Sequence, residues 1–349
     1  MTMKKLTTFK KGLLIYGLVW LVIMLGIWFV AWNYAAAYEM AEPVGAMNEY
    51  MEEALPAHLE EAVLAYSDEN ANAYQSAEDL YAELLGNVVE GEWTYRKSKA
   101  YTSAAPVYTL YCGGNELGTV TLAAGEAKAL DFGLAPWEVQ PAQLQLEKLE
   151  RTVTVIAPAE AAVKLNGEAL PTTEETASYY PMFAEYEVTI KKPMELMVYT
   201  VEGIVTSEVT VTAKGYTVMQ AEEADTWYVL PNADEKVREE IERFAPAFVD
   251  AYLMFTSNAG SFGNVQAYLA PEGELVDRLR RSLDGMSWVH YTTGKVLETE
   301  ISNIEYYGNV VTYDAAYELK LKSGDMAGNM HVIMVQGVYG WRVSDIELF

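Results

Sequence analysis

The sequence predicts an α+β protein behind one N-terminal apolar helix. Three observations carry that prediction. An uncharged run, Gly12 to Tyr38, follows a lysine-rich arm. Apolar residues recur at helical spacing around 47–88 and 234–283. Strand-and-turn patterns fill 93–122, 152–213 and 287–348. Helical stretches followed by runs of strands, rather than alternation of the two, point to α+β rather than α/β.

The apolar helix comes first. Lys4, Lys5, Lys10 and Lys11 precede Leu13–Trp32, a stretch of 20 residues without a charge. At 1.5 Å per residue it covers a hydrocarbon layer of about 30 Å. Trp28, Trp32, Tyr34 and Tyr38 gather at the far end, where amphipathic rings favour the membrane–water interface, and Glu39 and Glu42 follow. Lysines on the near side place the N-terminus in the cytoplasm. A cleaved signal peptide is the rival reading, because Ala35-Ala36-Ala37 offers a small-residue cleavage site, but the apolar run exceeds the usual 7–15 residues of a signal peptide. A buried core helix is the remaining alternative. The expected division is a cytoplasmic arm at 1–11, an anchor at 12–38 and three extracytoplasmic segments at 39–145, 146–230 and 231–349.

The segment 39–145 reads as an α+β module. Met47, Met51, Leu55, Leu59, Val63 and Tyr66 follow helical spacing, with a kink expected at Pro56. Ser76 and Asp79 sit at capping-box spacing before Leu80, Leu84 and Val88. Strands are expected at Trp93–Tyr95, Val107–Tyr111 and Leu117–Leu122, the last two joined by a turn at Gly113-Gly114-Asn115.

The segment 146–230 reads as a small β-sandwich. Its strands are expected at Thr152–Ile156, Ala162–Leu165, Tyr186–Ile190, Glu195–Val201 and Ser207–Ala213, with Asn166-Gly167 as a hairpin turn. The segment 231–349 opens with Asp234 capping a helix whose Val237, Ile241, Phe244, Phe248, Tyr252 and Phe255 share a face. Pro246 lies inside that helix. A second helix is expected at Pro271–Leu283. Strands follow at Ser287–Thr292, Lys295–Tyr307, Asn309–Lys322, Asn329–Val338 and Gly340–Leu348.

This last order, a long bent helix, short helices and then long strands closing on Gly340-Trp341-Arg342-Val343, resembles the nuclear transport factor two-like (ketosteroid-isomerase-like) superfamily. The resemblance implies a cone-shaped α+β domain able to enclose a pocket. The whole layout, with Val153–Ile156 and Val163–Gly167 as its most specific pattern, also resembles the extracytoplasmic part of the teicoplanin-resistance-associated membrane proteins of Gram-positive bacteria. Their usual N-terminal zinc ribbon is absent from this sequence.

Composition excludes several classes. The formal net charge is −26, and all 50 acidic residues but only 20 of the 24 basic ones follow Lys11. Such a surface is repelled by phosphate backbones, so nucleic acid is not an expected partner. One cysteine, Cys112, and three histidines, His58, His290 and His331, rule out a disulfide framework and leave little for a metal site. No Asn-x-Ser/Thr sequon occurs, which suits a bacterial surface protein. No cofactor motif is present and no cofactor is expected.

The candidate residues are few. Arg278, Arg280 and Arg281 form the one compact basic cluster and would suit anionic envelope polymers, against the simpler reading of a solvated helix face paired with Asp277 and Asp284. A pocket of the ketosteroid-isomerase kind would need a carboxylate and a hydrogen-bond donor. Asp250, Tyr252, His290 and Asp314 are the candidates, with His290 and Asp314 as an acid–base pair. His331 is expected to be a buried, hydrogen-bonded histidine. The pairs Tyr179-Tyr180 and Tyr306-Tyr307 suggest either adhesive surface or ordinary strand residues.

The expectation is a single-pass cell-membrane protein with a non-enzymatic extracytoplasmic binding or scaffold ectodomain. Its partners would be the lipid bilayer and either a cell-wall polymer or another membrane protein. The alternative is a tethered cone domain that binds or converts a small ligand.

Overall fold

A computed structural model describes residues 8–127, 132–285, 295–321, 324–338 and 340–349. The fold is α+β, and the chain divides into two compact units. One comprises Met1–Glu150 with Val205–Ser207, the other Arg151–Ile204 with Glu208–Phe349.

The first unit begins with helix α1, Thr8–Ala41. Within it Lys11–Ala41 is long and apolar enough to cross a membrane, and none of its most apolar window is buried against protein. Helix α2, Pro43–Glu49, runs through a π turn at Tyr50–Ala54 into α3, Leu55–Asn70. The π turn abuts Pro56, which lacks the N–H that an α-helix would aim at the carbonyl four residues back. The expected irregularity is therefore a widened turn rather than a break. Helix α4, Ala77–Leu84, starts as the spacing predicts: the Ser76 hydroxyl oxygen accepts from the Asp79 N–H at 3.1 Å. Strands β1 (Trp93–Lys97), β2 (Val107–Cys112), β3 (Asn115–Ala124), β4 (Trp137–Val139) and β5 (Gln143–Leu144) form an antiparallel sheet, with β5 pairing β3. Leu55, Leu59, Val63, Leu80 and Leu84 from the helices pack with Tyr108, Leu110, Val120 and Leu122 of that sheet. Gln75 Oε1 accepts from the N–H groups of Val205 (3.0 Å) and Thr206 (3.4 Å), and Val205 joins the same core. Val205–Ser207 thus belong to the first unit, and of the expected strand Ser207–Ala213 only Val211–Ala213 is formed.

The second unit opens with a β-rich part. Strands β6 (Arg151–Pro158), β9 (Thr176–Ala177), β10 (Leu196–Ile204), β12 (Tyr216–Gln220) and β13 (Thr226–Pro231) build a five-stranded sheet in the order β12-β13-β6-β10-β9. Strands β7 (Val163–Leu165), β8 (Glu168–Ala169) and β11 (Val211–Ala213) form a three-stranded one. The β7–β8 turn is the expected Asn166-Gly167, at φ 50° and 90°. A primed hairpin turn needs positive φ at both positions, and Asn and Gly adopt it most cheaply. The expected strand at Tyr186–Ile190 is absent. Pro181–Tyr186 is a 3-10 helix instead, because Tyr180, Phe183 and Tyr186 present a helical rather than an alternating apolar edge to the core.

The rest of the unit is one long helix, two short ones and a meander. Helix α5, Glu235–Thr256, is capped by Asp234, whose carboxylate accepts from the Val237 N–H at 2.8 Å. Helices α6 (Phe262–Gln266) and α7 (Glu274–Gly285) follow. Strands β14 (Lys295–Tyr306), β15 (Val310–Leu321), β16 (Gly324–Gly337) and β17 (Gly340–Leu348) pair in sequence order, all antiparallel. The expected strand at 287–292 lies outside the described residues. Register shifts in β14 and between Ile333 and Met334 of β16 bend the sheet. Phe248, Tyr252, Tyr313, Met330, Val332 and Trp341 fill its inner side against the helices. Gly328 lets Tyr317 lie flat on β16, since a Cβ there would come within 2.5 Å of the phenol oxygen.

The segments 146–230 and 231–349, separated on sequence, share a core. Tyr180, Phe183, Leu196, Tyr228 and Leu230 pack with Tyr307, Val310, Ile333 and Val335 from the outer side of the four-stranded sheet. The Tyr180 hydroxyl donates to the Val229 carbonyl at 2.6 Å, and its ring meets Tyr228 and Tyr307 edge-on. The tyrosine pairs are thus largely structural: Tyr180 and Tyr307 are buried, Tyr179 and Tyr306 half-buried.

Candidate functional site

The second unit holds a cleft of about 580 Å³ where the β-rich part meets α5 and the strand ends of the meander. Val237, Arg238, Ile241 and Glu242 come from the first two turns of α5. Ile304, Glu305, Tyr306 and Val311 come from β14 and β15, and Val218, Met219 and Leu230 from β12 and β13. The floor is apolar because both hydrophobic clusters of the unit end here. Ile241 and Val311 belong to one, Leu230 and Met219 to the other. A rim of Thr217, Asn232, Arg238, Glu242 and Glu305 surrounds that floor. Asn232 is fixed on it: its amide donates to the Gly215 carbonyl at 2.9 Å, and its side-chain oxygen accepts from Thr217 at 2.9 Å. Among the described residues no carboxylate pairs with the exposed Arg238. Burial first, and then the charge of Asp234, pushes the Tyr306 phenol up, so it stays protonated and can donate.

The cleft thus combines an apolar floor with one guanidinium, two carboxylates and a protonated phenol. The size falls within the range of small-molecule sites. Among the described lining residues there is no histidine or cysteine.

The residues named from sequence do not converge on this cleft. Asp250 is on the exposed side of α5, where it accepts from Thr299 at 3.3 Å. Tyr252 is inside the core, and burial, more than the neighbouring Tyr317, raises its phenol to about 12. Asp314 points to the other face of β15, because strand alternation sends Tyr313 and Ala315 inward on either side of it. His290 lies outside the described residues. Asp314 pairs instead with His331, whose Nδ1 is 2.7 Å from Oδ1, and with Asn303, whose amide donates to Oδ2 at 2.7 Å. His331 is half-buried and hydrogen-bonded rather than fully buried. Cys112 is buried; its thiol faces the Asn87 carbonyl at 3.3 Å and is pushed up by burial, which leaves it a poor nucleophile.

The basic cluster is largely spoken for. Arg278 reaches Asp345 at 2.5 Å and the Ile346 carbonyl at 3.3 Å. Arg280 meets Asp277 at 3.2 Å, and Arg281 donates to the Asp277 carbonyl at 3.2 Å. The partner expected besides Asp277 was Asp284; the described one is Asp345, brought to α7 by β17.

No family model matches the chain, and no curated protein sequence does. Three solved structures show a loose likeness to the chain. The intermembrane-space region of chloroplast protein ARC6 is 11% identical at a TM-score of 0.26, covering 34% of this chain and 98% of that one. An NTF2-like protein involved in plasmid conjugation is 7% identical at 0.25, covering 84% and 96%. Bd1075 of Bdellovibrio bacteriovorus is 7% identical at 0.27, covering 74% and 93%. Likenesses this loose do not show a shared activity.

The cleft is what sequence reading missed. Its signal was present at the Leu230–Asp234 junction, which reads as a boundary between two segments. Boundaries where two apolar parts meet under a short polar connection are places where pockets form.

Proposed function

We propose that the protein is a single-pass membrane protein, held by α1 with its N-terminus in the cytoplasm, and that the remainder is a non-enzymatic extracytoplasmic binding ectodomain. The observation that carries this reading is the apolar stretch of α1: from Leu13 to Trp32 its large apolar side chains are 44–65% exposed. In water that surface would be a severe aggregation liability. In a bilayer it needs no further cover. Lys4, Lys5, Lys10 and Lys11 before it and Glu39 and Glu42 after it support the orientation. The test is protease protection of the full chain in sealed right-side-out membrane vesicles. The reading expects the fraction to resist alkaline carbonate extraction and the region after α1 to be digested from outside. A carbonate-soluble chain, or one digested only after lysis, contradicts it.

A second reading concerns what the ectodomain binds. The envelope-polymer reading loses support where Arg278, Arg280 and Arg281 already face Asp277 and Asp345. The cleft favours a small amphipathic ligand, its apolar body on Ile241 and Met219 and an anionic group on Arg238. Anilinonaphthalene sulfonate has that shape. Its fluorescence is expected to rise on the full chain in detergent and to fall with Arg238→Glu or Val218→Trp. Equal fluorescence in all three proteins would reject the site.

A further inference from the structure

We infer that the turn at Phe132-Gly133 is a second membrane contact, seated in the outer interfacial layer beside α1. The inference rests on the reading of α1 as the membrane span. The base of the loop that carries this turn is tied to the end of the helix: the Trp137 indole N–H donates to the Ala41 carbonyl at 3.1 Å. Phe132 lies farther back along the helix. The Phe132 ring meets the Tyr34 ring edge-on, with centroids 5.4 Å apart, and Phe132 shares an apolar hollow with Ile23, Gly26, Ile27 and Val30.

Depth then follows from helix geometry. Side chains on a helix lean toward its N-terminus, so the Tyr34 ring covers the turn around Val30 and Ala31. Those residues lie inside the apolar run, which ends at Trp32. A ring set edge-on against Tyr34 is therefore within about one helical turn, ~5 Å, of the end of the hydrocarbon-spanning segment. Phe132 cannot keep that contact and remain in bulk water. It is 46% exposed, and the turn presents it outward through positive φ at Phe132 (53°) and Gly133 (81°). An exposed phenylalanine beside the tyrosine and tryptophans at the end of a span matches the chemistry of the headgroup–acyl boundary. The partner is the lipid bilayer, and the consequence is that the first unit lies against its surface instead of standing off on a stalk.

The test uses the full chain with Cys112→Ala, reconstituted in phosphatidylcholine–phosphatidylglycerol vesicles. One environment-sensitive fluorophore is attached in turn at Phe132→Cys, at Ile27→Cys in the helix and at Leu64→Cys, an exposed position of α3. Quenching is read with nitroxides placed near the top of the lipid acyl chain or near its terminal methyl. The expected result is a blue shift and quenching at 132, stronger with the shallow nitroxide than the deep one, quenching at 27, and none at 64. A probe at 132 that behaves like the one at 64 while 27 is quenched overturns the second contact and leaves the anchor standing. Absence of quenching at both 27 and 132 overturns both. Circular dichroism matching the unlabelled chain guards against a misfolded variant, and Phe132→Cys alters no buried packing.

Discussion

Helices α1 and α5 are both long, and they meet their surroundings in opposite ways. Along α1 the apolar residues go all the way round and stay exposed. Along α5 they form one stripe, with Ile241, Ala245, Phe248, Val249, Tyr252 and Phe255 buried while Lys236, Glu239 and Arg243 remain exposed. The difference teaches what each helix was selected to sit in. A striped helix carries its own instruction to fold against a sheet, because only one side gains from leaving water. A helix apolar on every side gains from leaving water all round, inside a large protein core or a membrane.

The same substitution placed in both helices gives the largest contrast. Phe248→Ala empties a fully buried site in the core of the second unit and is expected to cost roughly 3–5 kcal/mol. Phe29→Ala in α1 removes a ring that is 58% exposed and is expected to leave the urea midpoints of both units unchanged. Urea unfolding of the full chain in detergent, followed by circular dichroism, reads the two effects. Equal losses would mean that α1 packs against protein.

Charge sharpens the contrast from the other side. Val22→Arg sits near the middle of the apolar run, where a guanidinium is expected to cost about 2.5–3.5 kcal/mol of insertion. The carbonate-resistant fraction should fall, with the urea midpoints unmoved. Glu239→Arg, on the exposed side of α5, should change neither. A Val22→Arg protein that remains fully membrane-embedded would argue that α1 lies beside other polar groups.

Caps come next in size. Asp234→Ala removes the side chain that accepts from the Val237 N–H and is expected to cost about 1 kcal/mol. Ser76→Ala at the start of α4 should cost a similar amount in the first unit. Thermal melts of the two variants should each lower the transition of one unit. A shift of both transitions by either variant would mean that the units unfold together.

These local devices were legible in the sequence because their cause is local. Ser76 and Asp234 precede their helices at capping distance, and Asn166-Gly167 allows little besides a tight hairpin. The four described strands of the meander were legible too, since alternation and turn residues mark them. What stayed hidden depended on partners far along the chain. Tyr186–Ile190 reads as a strand by β propensity, and the core it packs into made Pro181–Tyr186 a 3-10 helix. Gln75 holds Val205 and Thr206 in the first unit from 130 and 131 positions away. The candidate residues are a related case. Alternation says that Tyr313 and Asp314 face opposite ways, but not which face is enclosed, so Asp314 was assigned to a pocket while His331 waited on the outer face.

That outer-face pair yields the smallest expected effect and the one with a definite sign. Asp314 accepts first from Asn303 and then from His331, and both bonds favour the carboxylate; partial burial opposes them and the charge of His331 adds to them. Its pKa in the folded protein is therefore held below the ordinary 3.8 of an aspartate. A group with a lowered folded pKa stabilises the fold fully at pH above its unfolded value, and that contribution disappears as the pH falls through the folded one. Asp314→Asn keeps the volume of the side chain and removes the titration. The stability difference between the two proteins, measured by urea unfolding in detergent from neutral pH downward, should be constant above about pH 5 and shrink below the ordinary aspartate range. His331→Gln should weaken the same dependence without abolishing it, because the Asn303 bond remains. Parallel curves for wild type and Asp314→Asn across the acid range would mean that the carboxylate gains nothing from the outer face, and that the sheet has one instructive side rather than two.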